Sequence, residues 1–173
     1  MKNTIVGIGE ALWDVLPEGK KIGGAPANFA YHMSQFGFDG CAVSAVGNDE
    51  LGDELLRNFD EKQLHYLMEK VPYPTGTVQV ELDSAGVPCY EIKENVAWDN
   101  IPVTSEAIAV MKKADAICFG TLAQRSAVSA ETLYALLAEA PETAIRYFDI
   151  NLRYPYYSKE LILRSFDVAN VLK

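Results

Sequence analysis

Apolar residues along this chain recur with two periods that alternate. Thr4–Ile8 is a short continuous apolar run, which predicts a strand buried on both faces and central in a sheet. Within Ile22–Gly37, IGGAPANFAYHMSQFG, the residues Ala27, Ala30, Met33 and Phe36 fall at helical spacing, with Asn28, His32 and Gln35 on the other side. Pro26 suits the first helical position and Gly37 the stop. Cys41–Val46 predicts the next strand, and Asp49 caps a helix with Leu51, Leu55 and Phe59 along one face. Thr104–Ala114 predicts a helix with Ala107, Ile108, Met111 and Ala114 inward, followed by a strand over Ala116–Phe119. Ala130–Ala140 then reads as a helix carrying Leu133, Leu136 and Leu137, Ala144–Ile150 as a strand, Lys159–Phe166 as a helix and Val168–Leu172 as a strand. Such alternation predicts an α/β fold with a doubly wound, mainly parallel sheet flanked by helices, whose ligands bind outside the carboxyl ends of the strands.

Two segments break the alternation. Ala11–Leu16 and Lys20–Ile22 flank Pro17-Glu18-Gly19, a turn signal that predicts a hairpin. Thr77–Leu82 puts Val78, Val80 and Leu82 on one face and Thr77, Gln79 and Glu81 on the other, and Asp83-Ser84-Ala85-Gly86 turns it back into Val87–Ile92. A hairpin inserted beside a site is a natural lid. A small antiparallel β lid is therefore expected from about residues 11–23 and 75–98 of one α/β domain.

Composition narrows the field. At 173 residues, with 49% hydrophobic residues, the chain suits one ordinary globular domain. Its formal net charge of −9 argues against nucleic acid as a partner but leaves room for a nucleotide, which needs only a few local donors. No run of ~18 apolar residues occurs, so no membrane is expected. The opening MKNTIVGIGEALWD meets Gly9, Glu10 and Asp14 too early for a signal peptide. Cys41, Cys89 and Cys118 lie far apart in strand-like runs without metal spacing, and read as reduced core residues of a cytoplasmic protein. No metal-ligating set is expected within this chain. His32 and His65 belong to no motif and read as structural.

The candidate chemistry gathers at the turn Gly23-Gly24. Two residues without side chains let backbone lie against a ligand, and the helix that follows points its free amides at the same spot. Asp14 sits a short loop away, and Asn28 sits in the first helical turn. A carboxylate, an amide and bare backbone suit a polyol, whose hydroxyls donate and accept. A plain Gly-Gly turn capping an amphipathic helix accounts for the same residues. Gly7-x-Gly9 is not a dinucleotide fingerprint, because Leu12 stands where the third glycine belongs. Asp149, Asn151 and Arg153 share one face of an extended segment at a strand's carboxyl end, where an Arg engages phosphate through paired donors. A surface Asp–Arg pair is the structural alternative. Tyr90 and Trp98 could stack on a substrate or pack within the lid.

The stretch GEALWDVLPEGKKIGGAPANFAYHMSQFG, with VGNDELGDELL at Val46–Leu56 and FDINLR at Phe148–Arg153, resembles the ribokinase-like (PfkB-type) sugar kinases, bacterial fructokinases in particular, from Ile5 to the last residue. The resemblance implies phosphoryl transfer from ATP, with Mg2+, to a sugar hydroxyl, taking fructose to fructose 6-phosphate. It implies that Asp14, Gly23, Gly24 and Asn28 surround the sugar, with Tyr90 and Trp98 as candidate stacking groups beside them, and that Asn151 and Arg153 lie near the transferred phosphate. Gly47 or Asp49 would shape the pocket floor. In many relatives the lids of two subunits pack together, which makes a homodimer a candidate assembly. The resemblance puts the catalytic base, in a Gly-Ala-Gly-Asp segment, beyond Lys173, together with an Asn-x-x-Glu segment associated with magnesium and most of the nucleotide pocket. The chain is accordingly expected to be an amino-terminal portion, inactive alone and without a catalytic residue of its own. 2-Keto-3-deoxygluconate, ribose or a nucleoside are alternative acceptors, and an acidic sugar would call on Arg125 or Arg153. A non-catalytic sugar-binding or interaction module is the alternative of another class.

Overall fold

A computed structural model of the chain describes residues 2–82 and 88–173, so the turn expected at Asp83–Gly86 lies outside the described residues. In chain order the first half forms β1 (Thr4–Ile8), β2 (Leu12–Leu16), β3 (Gly19–Gly23), α1 (Ala25–Gln35), β4 (Asp39–Gly47), α2 (Glu50–Glu61), β5 (His65–Val71), β6 (Thr77–Leu82) and β7 (Pro88–Ile92). The second half forms α3 (Ser105–Met111), β8 (Ala114–Gly120), α4 (Ala127–Glu139), β9 (Ile145–Asp149), α5 (Lys159–Val168) and β10 (Val171–Leu172).

Six strands make one sheet in the order β10-β9-β8-β1-β4-β5, and every pairing in it is parallel. Both faces are covered, as a parallel sheet requires. Ala27, Ala30, Leu55 and Phe59 of α1 and α2 pack on Ala42 and Val46 on one side. Ala107, Met111, Leu133 and Leu136 of α3 and α4 pack on Val6, Val43, Ile117 and Phe148 on the other. Burial of the Val, Leu, Ile, Met and Phe side chains among them stabilises the layers by about 1.5–3 kcal/mol each before entropy is counted. The chain winds outward from β1 in both directions, so the sheet's switch point lies between β1 and β8.

The small sheet has the order β3-β2-β6-β7 and is mixed, because β2 and β6 pair in parallel. This corrects the expectation of an antiparallel lid. Both strands leave the same edge of the parallel sheet, one after β1 and the other after β5, and so travel in the same direction. Phe36, expected in the buried stripe of the first helix, is 74% exposed. α1 ends at Gln35, and Phe36 falls at the cap beyond the sheet's lower edge. The edge strand β5 escapes sequence patterning, since HYLMEKV is half-exposed and lacks clean alternation.

Cys41 and Cys118 are buried free cysteines, and burial pushes both thiols up to about 12. No helix among the described residues is long and apolar enough to cross a membrane.

Candidate functional site

Just past the carboxyl end of β1 the backbone at Glu10 meets the start of α1, which follows in the chain only after β2 and β3. Gly24 caps that helix with φ at 108°, and a Cβ there would collide with the Glu10 carbonyl. Glycine thus allows the two backbones to touch. Below this contact Glu10 is only 4% exposed, and its Oε1 accepts the Ala25 N–H at 3.2 Å, the first amide of α1. Its Oε2 is buried with no hydrogen-bond partner. Burial raises the Glu10 carboxyl to about 7, against the opposing effects of the hydrogen bonds from its own and the Ala25 amide and of Arg153; Asp149 adds to the rise.

Above it lies a cavity of about 270 Å³ between the two sheets. The small sheet lines it with Leu12, Asp14, Val78, Tyr90 and Ile92, the start of α1 with Gly24 and Asn28, and the segment after β9 with Asn151 and Arg153. Glu10 and Leu122 complete the wall. Apolar walls with a few convergent polar groups are the usual form of a small-molecule site. Asp14 is half-buried; burial holds its carboxyl above the ordinary range and Arg153 pulls the other way. Gly23 does not line the cavity, but a Cβ on it would strike the Asp14 carboxylate, so its bareness gives that carboxylate room.

Asn151 adopts a positive φ of 30°, a conformation Asn tolerates better than most residues. Exposed Arg153 donates from Nη1 to the Leu152 carbonyl at 3.0 Å and pairs with no carboxylate among the described residues. The surface pair considered for Asp149 and Arg153 does not form, because Asp149 accepts Lys173 Nζ at 3.0 Å. A smaller hollow of about 10 Å³, room for about one water, lies between Glu10, Ala25, Thr121 and Asn151.

Trp98 stands apart from this group. It is fully buried and packs against Gly76 and Leu12 at the root of the small sheet, where it cannot stack on a ligand. The expectation that Trp98 contacts a substrate is therefore corrected to a packing role. Arg125 covers its ring at 3.9 Å from the centroid and lies 4.7 Å from that of Tyr156. The same guanidinium donates from Nε and Nη2 to the Asp99 carboxylate at 2.8 and 2.9 Å, and from Nη2 to the Lys93 carbonyl. Arg125 thus acts as a structural clamp through Nε and Nη2, and its Nη1 is buried without a hydrogen-bond partner.

Asp49 caps α2 through the Gly52 N–H at 2.8 Å and holds the Thr75 hydroxyl and amide at 2.6 and 2.8 Å. Burial opposes its ionisation, but the hydrogen bonds from Thr75 and Gly52, with Lys70, outweigh it and hold the carboxyl below its ordinary value. Its contacts tie α2 to the loop that leads into β6. Glu10 is the residue that pattern reading missed. A charged side chain between the apolar runs Thr4–Ile8 and Ala11–Trp13 was the available signal.

The profile of the pfkB family of carbohydrate kinases matches residues 17–173. An uncharacterised sugar kinase of Pyrococcus horikoshii, PH1459, is 28% identical over 162 residues, covering 86% of this chain and 52% of that protein. Its crystal structure superposes with a TM-score of 0.85 over 97% of this chain and 64% of its own, and it has also been solved in complex with ATP. Fructokinase-like 1 of Arabidopsis thaliana is 23% identical over 171 residues, covering 93% of this chain and 36% of that protein. Fructokinase from Xylella fastidiosa shares the fold with a TM-score of 0.83 at 22% identity, over 99% of this chain and 59% of its own. The chain spans about half the length of its Pyrococcus relative and less of the Arabidopsis one.

Proposed function

Because the chain belongs to the pfkB family of carbohydrate kinases, we propose that it carries the sugar-holding part of an enzyme that transfers the γ-phosphoryl of ATP to a hydroxyl of fructose, giving fructose 6-phosphate. The observation that carries this reading is that Asp14, Asn28, Asn151 and Arg153, from three separate segments of the chain, line one cavity. Asp14 accepts hydrogen bonds from sugar hydroxyls, while Asn28 both donates and accepts. The bare backbone at Gly24 lets the ring approach α1, and the apolar Leu12, Val78 and Ile92 of the lid keep water from it. Holding the acceptor hydroxyl in one orientation converts an encounter into an aligned attack.

ATP brings the phosphoryl group, and Asn151 and Arg153 are the residues of this chain that would meet its anionic end. A free guanidinium with paired donors fits that charge. Among the described residues no group of three or more His, Cys, Asp and Glu side chains is arranged to hold a metal ion, and no magnesium ligand is assigned here. The hydroxyl proton is taken by a base that we assign outside residues 2–173, since Asp14 belongs to the lid and serves binding. A neutral sugar is favoured over an acidic one, because Arg125 is committed to Asp99 and Arg153 to phosphate.

Fructose-dependent ATP consumption by the intact protein, with its mass measured alongside, tests the reading. Asp14→Ala is expected to raise the KM for fructose roughly 10- to 100-fold, the loss of one or two hydrogen bonds to a charged group. Preference for 2-keto-3-deoxygluconate or ribose would move the substrate within the family. Turnover unaffected by Asp14→Ala would overturn the assignment of the site.

A further inference from the structure

The buried carboxyl of Glu10 has one oxygen engaged and one without a partner. Oε1 holds the first amide of α1, while Oε2 is enclosed without a partner, and the residue lines both the 270 Å³ cavity and the one-water hollow. An unpartnered polar atom at this depth costs about 1–3 kcal/mol, and such atoms are rare in folded proteins. Glu10 lines the same cavity as Asp14 and Asn28, so a ligand there brings oxygens within its reach.

Resting on the sugar-kinase reading, we propose that Glu10 is a further sugar-binding group: uncharged, it donates from Oε2 to an oxygen of the bound polyol while Oε1 continues to hold α1. Burial favours that form, with Asp149 adding to it and Arg153 opposing it. Cys118 on β8 and Asp149 at the end of β9 share the hollow with it, and Asp14 faces the same cavity from β2. Arg153 is the cation facing it, and it forms no ion pair with Glu10. The first turn of α1 carries no acidic residue. A neutral acid also adds no negative charge where the polyphosphate of ATP must approach. Asp14 and Glu10 thus divide the work, one accepting from the sugar and the other donating to it.

The division gives a pH signature that a structural role would not. Fructose affinity of the intact protein, measured by calorimetry from about pH 5.5 to about 8.5, is expected to be level at the acid end. It then falls up to tenfold per pH unit above about 7. Glu10→Gln keeps a donor and an acceptor of the same shape, so its affinity stays within about threefold of the acid-end value and becomes independent of pH. Glu10→Ala is expected to lose at least tenfold at every pH. A wild-type profile that is flat, or that Glu10→Gln leaves unchanged, overturns this proposal alone. So does a Glu10→Gln protein that binds as weakly as Glu10→Ala, which would mean the charged form is required. If no sugar binds wild type at any pH, the sugar-kinase reading fails and takes this proposal with it. Circular dichroism of each variant separates lost binding from lost fold, and should Glu10→Ala not fold, the Glu10→Gln profile decides.

Discussion

Two arginines of this protein are candidate anion binders in the sequence, and the fold gives them opposite fates. Arg125 lies under the lid, with its side chain 7% exposed, stacked between Trp98 and Tyr156 and paired through two nitrogens with Asp99. Arg153 stands on the rim of the cavity and holds only a neighbouring carbonyl. The first fastens the lid: the Lys93 carbonyl it binds and the Ile92 carbonyl that Tyr156 binds both lie where β7 leaves the small sheet. The second keeps its donors for a ligand. A guanidinium paired with a carboxylate and stacked on two rings serves architecture, and one that pairs with no carboxylate beside a cavity is free for chemistry.

Arg125→Ala should break the clamp and give the largest effect. It leaves the Asp99 carboxylate, also 7% exposed, with the Val96 amide at 3.2 Å as its remaining donor. Removing one partner of a buried ion pair costs about 3–5 kcal/mol, to be read from urea denaturation. Loss of stacking on Trp98 adds to it. Arg125→Lys is expected to recover little, because an ammonium cannot reproduce the fork or the stack. A loss below about 1 kcal/mol would show that the pair contributes as weakly as a surface one.

Glu10 is a third case, a buried acid without an ion-pair partner, and it resolves its burial by holding a proton. Between pH 4.5, the ordinary value, and about 7, the folded chain keeps a proton that the unfolded chain has released. Stability from this residue is therefore fully present below pH 4.5 and declines as pH rises through 7, by on the order of 3 kcal/mol. The stability difference between wild type and Glu10→Gln, measured at pH 5 and pH 8, should change by that order, with wild type losing ground at pH 8. A difference independent of pH would show that Glu10 is already ionised when folded.

The contrast also marks what the sequence makes legible. The doubly wound sheet is visible because its determinants are local: apolar runs such as Thr4–Ile8 and Cys41–Val46 must be buried wherever they go, and Leu133, Leu136 and Leu137 share a face in any helix. Asp14, Asn28, Asn151 and Arg153 stand out as polar residues at strand ends and helix starts. Nothing local shows that Arg125 is committed, since Asp99, Trp98 and Tyr156 reach it only through the fold. Trp98 shows the same limit: a lid aromatic reads alike whether its ring faces a ligand or a guanidinium. Glu10 stayed hidden because its burial comes from α1 and β8, which approach from distant parts of the chain.

Arg153→Ala sharpens the comparison from the other side. On the proposed function, it should leave stability within about 0.5 kcal/mol of wild type, as expected for an exposed side chain without partners. It should lower kcat/KM for ATP about 10- to 100-fold, equivalent to about 1.4–2.8 kcal/mol of lost transition-state stabilisation. Steady-state kinetics beside a thermal melt separates the two quantities. Loss of stability without loss of rate would place Arg153 in the same structural class as Arg125.

The smallest expected effect isolates which atoms of Lys93 matter. Its Nζ pairs with Glu91 at 2.6 Å, but both side chains are largely open to water, at 47% and 69% exposure. Water screens such a pair, and fixing two long side chains opposes the attraction, so its contribution is about 0–1 kcal/mol. The Lys93 carbonyl, in contrast, accepts from the buried Arg125 guanidinium and is retained by every substitution except those that disturb the backbone. Lys93→Ala should therefore change stability by less than about 0.5 kcal/mol, and added salt should erase even that difference. Lys93→Pro supplies the sharper half of the test. It keeps the carbonyl but removes the N–H that donates to Thr77 at 3.2 Å, and it fixes φ at the end of β7. If Lys93→Pro destabilises by about 2 kcal/mol or more while Lys93→Ala does not, the backbone at the lid's root carries the attachment and its surface charges do not. Equal, small effects from both would mean that the lid is held elsewhere and that Arg125 stabilises only its own stack.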